Sequence, residues 1–125
     1  MAKKDDRPID VGLAALTGND EAAAIAFWKK RFELIAAIPS DIARVGAMTP
    51  QLRELTRMQN EAERERLTRA RIIAFAQLAP DVKQKIMDAR KAAWNVDKVV
   101  LEKDQALVDK IMPTVDASVR SAYPS

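Results

Sequence analysis

Through most of the chain, apolar residues return every three or four positions with charged residues between them, the spacing that gives a helix one buried face. From Asp20 to Ile38 the apolar stripe is Ile25, Trp28, Phe32 and Ile35. Thr17 with Asp20 fits a capping box at its start, and Pro39 stops it. Ser40 can cap a short helix through Met48. Thr49 then caps the next helix, with Pro50 at its first position, where the missing amide proton costs nothing, and that helix runs to about Leu78. Ala79 precedes Pro80 and is pushed away from α geometry, so the chain bends there before a second long helix reaches Met112 and Pro113.

The ends are shorter pieces. Residues 1–9 read as a flexible tail, Asp10–Leu16 as one or two turns, and Thr114–Ala122 as a terminal helix or docking tail carrying Val115, Val119 and Ala122 at helical spacing. The chain is therefore expected to be all-α, with residues 10–125 as one domain: an elongated helical bundle or hairpin with two long helices and shorter N- and C-terminal helices. At 1.5 Å per residue the long helices would span about 43 and about 50 Å, whereas a compact chain of this length has a radius of gyration of ~14 Å. An apolar, proline, polar, apolar pattern surrounds Pro39, Pro50, Pro80 and Pro113, but its intervals are unequal, and it reads as punctuation at helix starts.

The last long helix is the most informative. Val82, Ile86, Ala89, Ala93, Val96, Val100 and Leu107 keep the spacing of a heptad seam, widened by Ala92, Val99 and Ala106. A second seam of Met87, Trp94, Leu101 and Val108 recurs every seven residues, about 100° away around the helix, with Arg90, Asp97 and Asp104 between the two. One neighbouring helix cannot cover both. The second seam is expected to be a contact surface with Trp94 as its anchor, either against the helix of residues 20–38 or against a partner chain.

Composition narrows the chemistry. The 125 residues are 48% hydrophobic and 31% charged, which suits a folded chain, and the net charge of +3 is too small to imply a polyanionic partner without local clustering. There is no cysteine and no histidine, so disulfides, thiolate metal sites, cysteine nucleophiles and histidine general bases are excluded. Asp5 and Asp6 stand where a signal peptide needs an apolar core, which makes the cytoplasm the expected address. The longest uncharged apolar run, Ala22–Trp28, is far below the ~20 residues of a membrane span.

Gly12 to Gly18 is one residue too long for a phosphate-binding loop and is followed by Asn19 where that loop needs lysine. Thr17–Glu21 lacks the rest of a calcium loop. The carboxylate pairs Glu61 with Glu65 and Asp97 with Asp104 share helix faces, and salt bridging accounts for them better than a metal does, because a di-iron bundle also wants histidine. From Arg53 to Arg71 the charges alternate in sign, the pattern of a solvated face. The sharper alternative has Arg53, Arg57, Arg64 and Arg71 contacting phosphates. Lys29, Lys30 and Arg31 beside Trp28 and Phe32 read as the polar side of an amphipathic helix, and touching phosphates or a membrane surface is the weaker reading.

Asp41-Ile42-Ala43-Arg44, Val45-Gly46-Ala47-Met48 and Thr49 to Leu55 resemble a helix-turn-helix, with a small alanine where two helices would cross, a glycine in the turn and a capped second helix. The resemblance covers about 15 residues, and its alanine stands three residues before the glycine where the usual pattern has four. It implies a small DNA-binding regulator using residues 41–55. Against it, the composition and the two seams favour a non-catalytic accessory or assembly subunit that binds a protein partner or a second copy of itself, with no cofactor, metal or small-molecule substrate. Nucleic acid is the less favoured partner.

Overall fold

A computed structural model describes residues 21–123, and every described element is helical. The expected tail of residues 1–9, the turns of Asp10–Leu16 and the Thr17 capping box lie outside the described residues. Helix α1 spans Glu21–Ala36, α2 Asp41–Thr56, α3 Glu61–Ala76, α4 Pro80–Val96, α5 Lys98–Ile111 and α6 Ala117–Ala122, with one 3-10 turn over Met112–Thr114 holding Pro113.

Several boundaries follow from the residues that predicted them. Trp28, Phe32 and Ile35 of α1 are buried, and the chain leaves the helix just before Pro39. Ser40 Oγ accepts the Ala43 amide at 3.3 Å and so caps α2. Ala79 takes ψ 151° and Pro80 begins α4, as the steric conflict at a residue before proline requires.

The two long helices do not form. The short helix over residues 41–48 continues through Thr49 and Pro50 as α2, so no turn separates the two halves of the helix-turn-helix-like segment. The expected helix from Thr49 to Leu78 breaks at Arg57–Asn60. Asn60 accepts the Glu63 amide at 3.0 Å and starts α3, whose first turn carries Glu61 and Glu63 at the positive end of the helix dipole.

The expected helix from Pro80 to Met112 breaks at Asp97. Arg90 and Asp104 are 14 positions apart, about 21 Å along a straight helix, yet Arg90 Nη1 lies 2.7 Å from Asp104 Oδ2. Helix α5 therefore folds back on α4. The helices from α1 to α5 are of similar length, roughly 21 to 26 Å at 1.5 Å per residue, and the elongated hairpin is replaced by a bundle of short helices.

A period of 20 residues runs through α1, α2 and α3, which begin at Glu21, Asp41 and Glu61. Equivalent positions are buried in all three: Trp28, Met48 and Thr68; Phe32, Leu52 and Ile72; Ile35, Leu55 and Phe75. The apolar turn residues Ile38, Met58 and Leu78 keep the same interval, and each donates its amide to a carbonyl three residues back. Prolines do not mark this register, which is why their unequal spacing hid it. Helix α1 packs chiefly on α3, while α4 and α5 both lie against α2, and the main core runs between these layers. A smaller cluster of Ile72, Val108, Ile111 and Val115 fastens the end of α5 to α3.

Candidate functional site

The 20-residue register carries one polar position inside the core: Arg31, Gln51 and Arg71, all buried. Arg71 leads to a buried polar group shared by α3, α4 and α5. It rises from the apolar face of α3 among Leu67, Ala70, Ala74 and Phe75, and its Nη2 lies 2.8 Å from Asp104 Oδ1 and donates to Oδ2 at 3.0 Å. The Oδ1 approach is an ion-pair contact whose angle does not suit a hydrogen bond. Arg90 of α4 donates to the same Oδ2 at 2.7 Å and through Nη2 to Gln105 at 3.1 Å. Asp104 is fully buried, so one carboxylate stands between two guanidiniums brought from α3 and α4.

Burial works against the charge on Arg71, but the attraction of Asp104, with Tyr123 beside it, outweighs that penalty and holds its pKa above the ordinary arginine value. The guanidinium also sits over the Trp28 ring, 5.9 Å from its centroid. The three charges sum to one surplus positive charge, away from bulk water and among aromatic side chains. Trp28 Nε1 is likewise buried without a hydrogen-bond partner, although an indole can only donate.

Trp28, Arg71 and Arg90, but not Asp104, line a cavity of about 30 Å³ between α1, α2, α3 and α4, walled also by Phe32, Phe75 and Tyr123. The Tyr123 ring packs edge-on against Phe75, 5.1 Å between centroids, and closes the C-terminal side. A second, open hollow of about 370 Å³ lies between the start of α4 and α6, lined by Pro80, Lys83, Gln84, Ser121 and Ala122. The two share Phe75 and Met87 as walls.

The anticipated contact seam is divided by the break at Asp97. Met87 and Trp94 are half-buried on α4, whereas Leu101 and Val108 of α5 are 0% and 2% exposed and belong to the two core clusters. In the first seam Ile86, Ala89, Ala93 and Val100 are buried, and Val96 is 67% exposed at the corner.

The four arginines offered for phosphate contact do not make one surface. Arg53 pairs with Asp97 at 2.9 Å, Arg64 donates to the Met58 carbonyl, Arg71 is buried, and of the four only Arg57 is exposed. Glu61 and Glu65 both reach Lys110, at 3.0 and 2.5 Å. Hydrogen bonding and attraction from Lys110 lower the Glu61 pKa, and the two glutamates raise that of Lys110. Among the described residues no cluster of acidic side chains is placed to hold a metal ion, and no helix is long and apolar enough to cross a membrane.

Sequence reasoning placed Arg90 and Asp104 between the seams without seeing their use. The available signal was an acid at a core position of α5, three and four residues from Leu101, Val100 and Val108, facing an arginine in the apolar stretch of α3. Comparison with protein-family models, with curated proteins and with solved structures finds no match.

Proposed function

We propose that the chain is a non-catalytic helical accessory subunit of the cytoplasm that works by binding another protein, through the α4–α5 corner and the neighbouring edge of α4. The observation that carries this reading is the apolar surface at the corner, where Val96 and Val99 are 67% and 60% exposed on either side of Asp97. The half-buried Trp94 stands two residues earlier, and Met87 one heptad before that. A solvated corner has no need of two β-branched residues, and tryptophan is among the residue types enriched at binding hot spots. The non-catalytic part rests on the missing histidine and cysteine and on Asp104, whose oxygens are taken up by two guanidiniums. The DNA-regulator alternative loses support because α2 runs unbroken from Asp41 to Thr56.

Affinity capture from the native extract, read together with light-scattering mass, tests the reading. A protein recovered in stoichiometric amount should be lost with Val96→Asp/Val99→Asp. It should be held roughly 30-fold more weakly by Trp94→Ala, which corresponds to ~2 kcal/mol at a hot spot. A wild-type chain that stays monomeric and captures no stoichiometric partner ends this reading.

A further inference from the structure

We propose that the cavity lined by Trp28, Arg71 and Arg90 is a binding site for an amphiphilic monocarboxylate, with the carboxylate seated at Arg90 and Trp28 and the apolar body lying in the hollow between α4 and α6. The head-group chemistry follows from what the cavity lacks. Asp104 neutralises one of its two guanidiniums, and the buried indole donor of Trp28 has no acceptor, so the site offers a positive charge and a free donor. An acceptor-only anion satisfies both. Nη1 and Nη2 of Arg90 each spend one N–H on Asp104 and Gln105 and keep a second, and a carboxylate answers those remaining charged donors better than a neutral polar group does.

The size of the two spaces assigns the rest of the ligand. A volume of about 30 Å³ holds a head group or a water, but no larger body. The hollow of about 370 Å³ is on the scale of small-molecule sites, and it adjoins the cavity, the two sharing Phe75 and Met87 as lining residues. Lys83, Met87 and Arg90 succeed one another at four and three residues on one edge of α4, with Lys83 lining the hollow, Arg90 the cavity and Met87 both. Tyr123, packed on Phe75, lines the cavity beside that edge.

Decanoate is the probe. It is titrated into the full chain carrying Trp94→Phe, which leaves Trp28 as the remaining tryptophan, and binding is followed by fluorescence and calorimetry. Saturable binding at one site per chain, with a change in Trp28 emission, is expected. Decan-1-ol, which has the body without the charge, and acetate, which has the charge without the body, should each bind at least about tenfold more weakly. Arg90→Met should weaken decanoate by at least about tenfold, and it should keep the fold because Arg71 and Asp104 then form a one-to-one pair. If that variant does not fold, Arg90→Lys is read instead; it keeps the charge but not the fork, and should still lose affinity for decanoate. Failure of decanoate to saturate at millimolar concentration, equal binding of decan-1-ol, or unchanged affinity in the Arg90 variant overturns the proposal. The outcome is independent of the corner valines, so it is distinguishable from failure of the protein-binding reading.

Discussion

The turns after α1 and α2 reverse the chain by local means, whereas the corner between α4 and α5 reverses it by charges drawn from distant helices. In each of the two turns an apolar residue, Ile38 or Met58, is partly buried, and the side chain of Ser40 or Asn60 accepts an amide three residues on. The corner is a single residue, Asp97, in a conformation of φ −146° and ψ 74° that is neither helix nor regular strand. One of its oxygens accepts the Val100 amide at 3.3 Å, and the other takes Arg53, 44 positions away, at 2.9 Å. Seven residues later Asp104 anchors the returning helix to Arg71 and Arg90. A capped turn needs only neighbours in sequence to form; the corner needs α2 and α3 already in place.

The largest test of that difference is Asp104→Ala. It leaves two guanidiniums, one buried and one nearly so, without their shared carboxylate, and removing one partner of a buried ion pair costs about 3 to 5 kcal/mol. Chemical denaturation should show that loss. Amide exchange should quicken first in α5 while α1 keeps its protection, because α5 is held at this point by charge and α1 by Trp28, Phe32 and Ile35. Equal loosening of α1 and α5 would mean that the pair does not single out the corner.

The same contrast explains how far the sequence could be read. Helical class, the ends of α1 shortly before Pro39 and of α3 before Pro80, and the core residues Trp28, Phe32 and Ile35 of α1 were legible because apolar spacing, caps and prolines are local signals. Asn60 with Glu63 was a readable cap as well, but the alternating charges from Arg53 to Arg71 suggested one continuous solvated helix. The Asp97 break was masked by heptad spacing that continues through Val96 and Val100, so a helix pattern alone favoured going straight. Pro50 reads as a helix start because proline favours the first helical position, whereas α2 carries it in its interior. The cavity was the least legible part, since it is built from four helices whose order in space no periodicity reports.

A smaller effect is expected at the local turn. Asn60→Ala removes the side-chain acceptor of the Glu63 amide and should lower stability by about 1 kcal/mol, while Asn60→Gly should cost only a few tenths. Exchange should rise in the first turn of α3 and nowhere in α5. A loss as large as that of Asp104→Ala, or loosening that spreads to α5, would show that the 57–60 turn also depends on the rest of the fold.

The smallest effect concerns the corner's own acid. Hydrogen bonding from Arg53 and from the Val100 amide lowers the pKa of Asp97 below its usual 3.8. A carboxyl group held lower in the folded state than in the unfolded chain contributes stability that is fully present above the usual value and disappears as pH falls through the folded one. Acid should therefore loosen the corner below about pH 4. Glu61 is lowered in the same way by Lys110, so acid sensitivity by itself does not identify Asp97. Arg53→Met separates the two, because it removes the long-range partner of Asp97 and leaves the pair of Glu61 with Lys110 untouched. Melting temperature measured from neutral pH down through this range should fall less in Arg53→Met than in the wild-type chain, and the difference should shrink in high salt because both partners are partly exposed. Parallel acid profiles for the two proteins would mean that the Val100 cap alone holds Asp97, which would make the corner a local device like the turns before it.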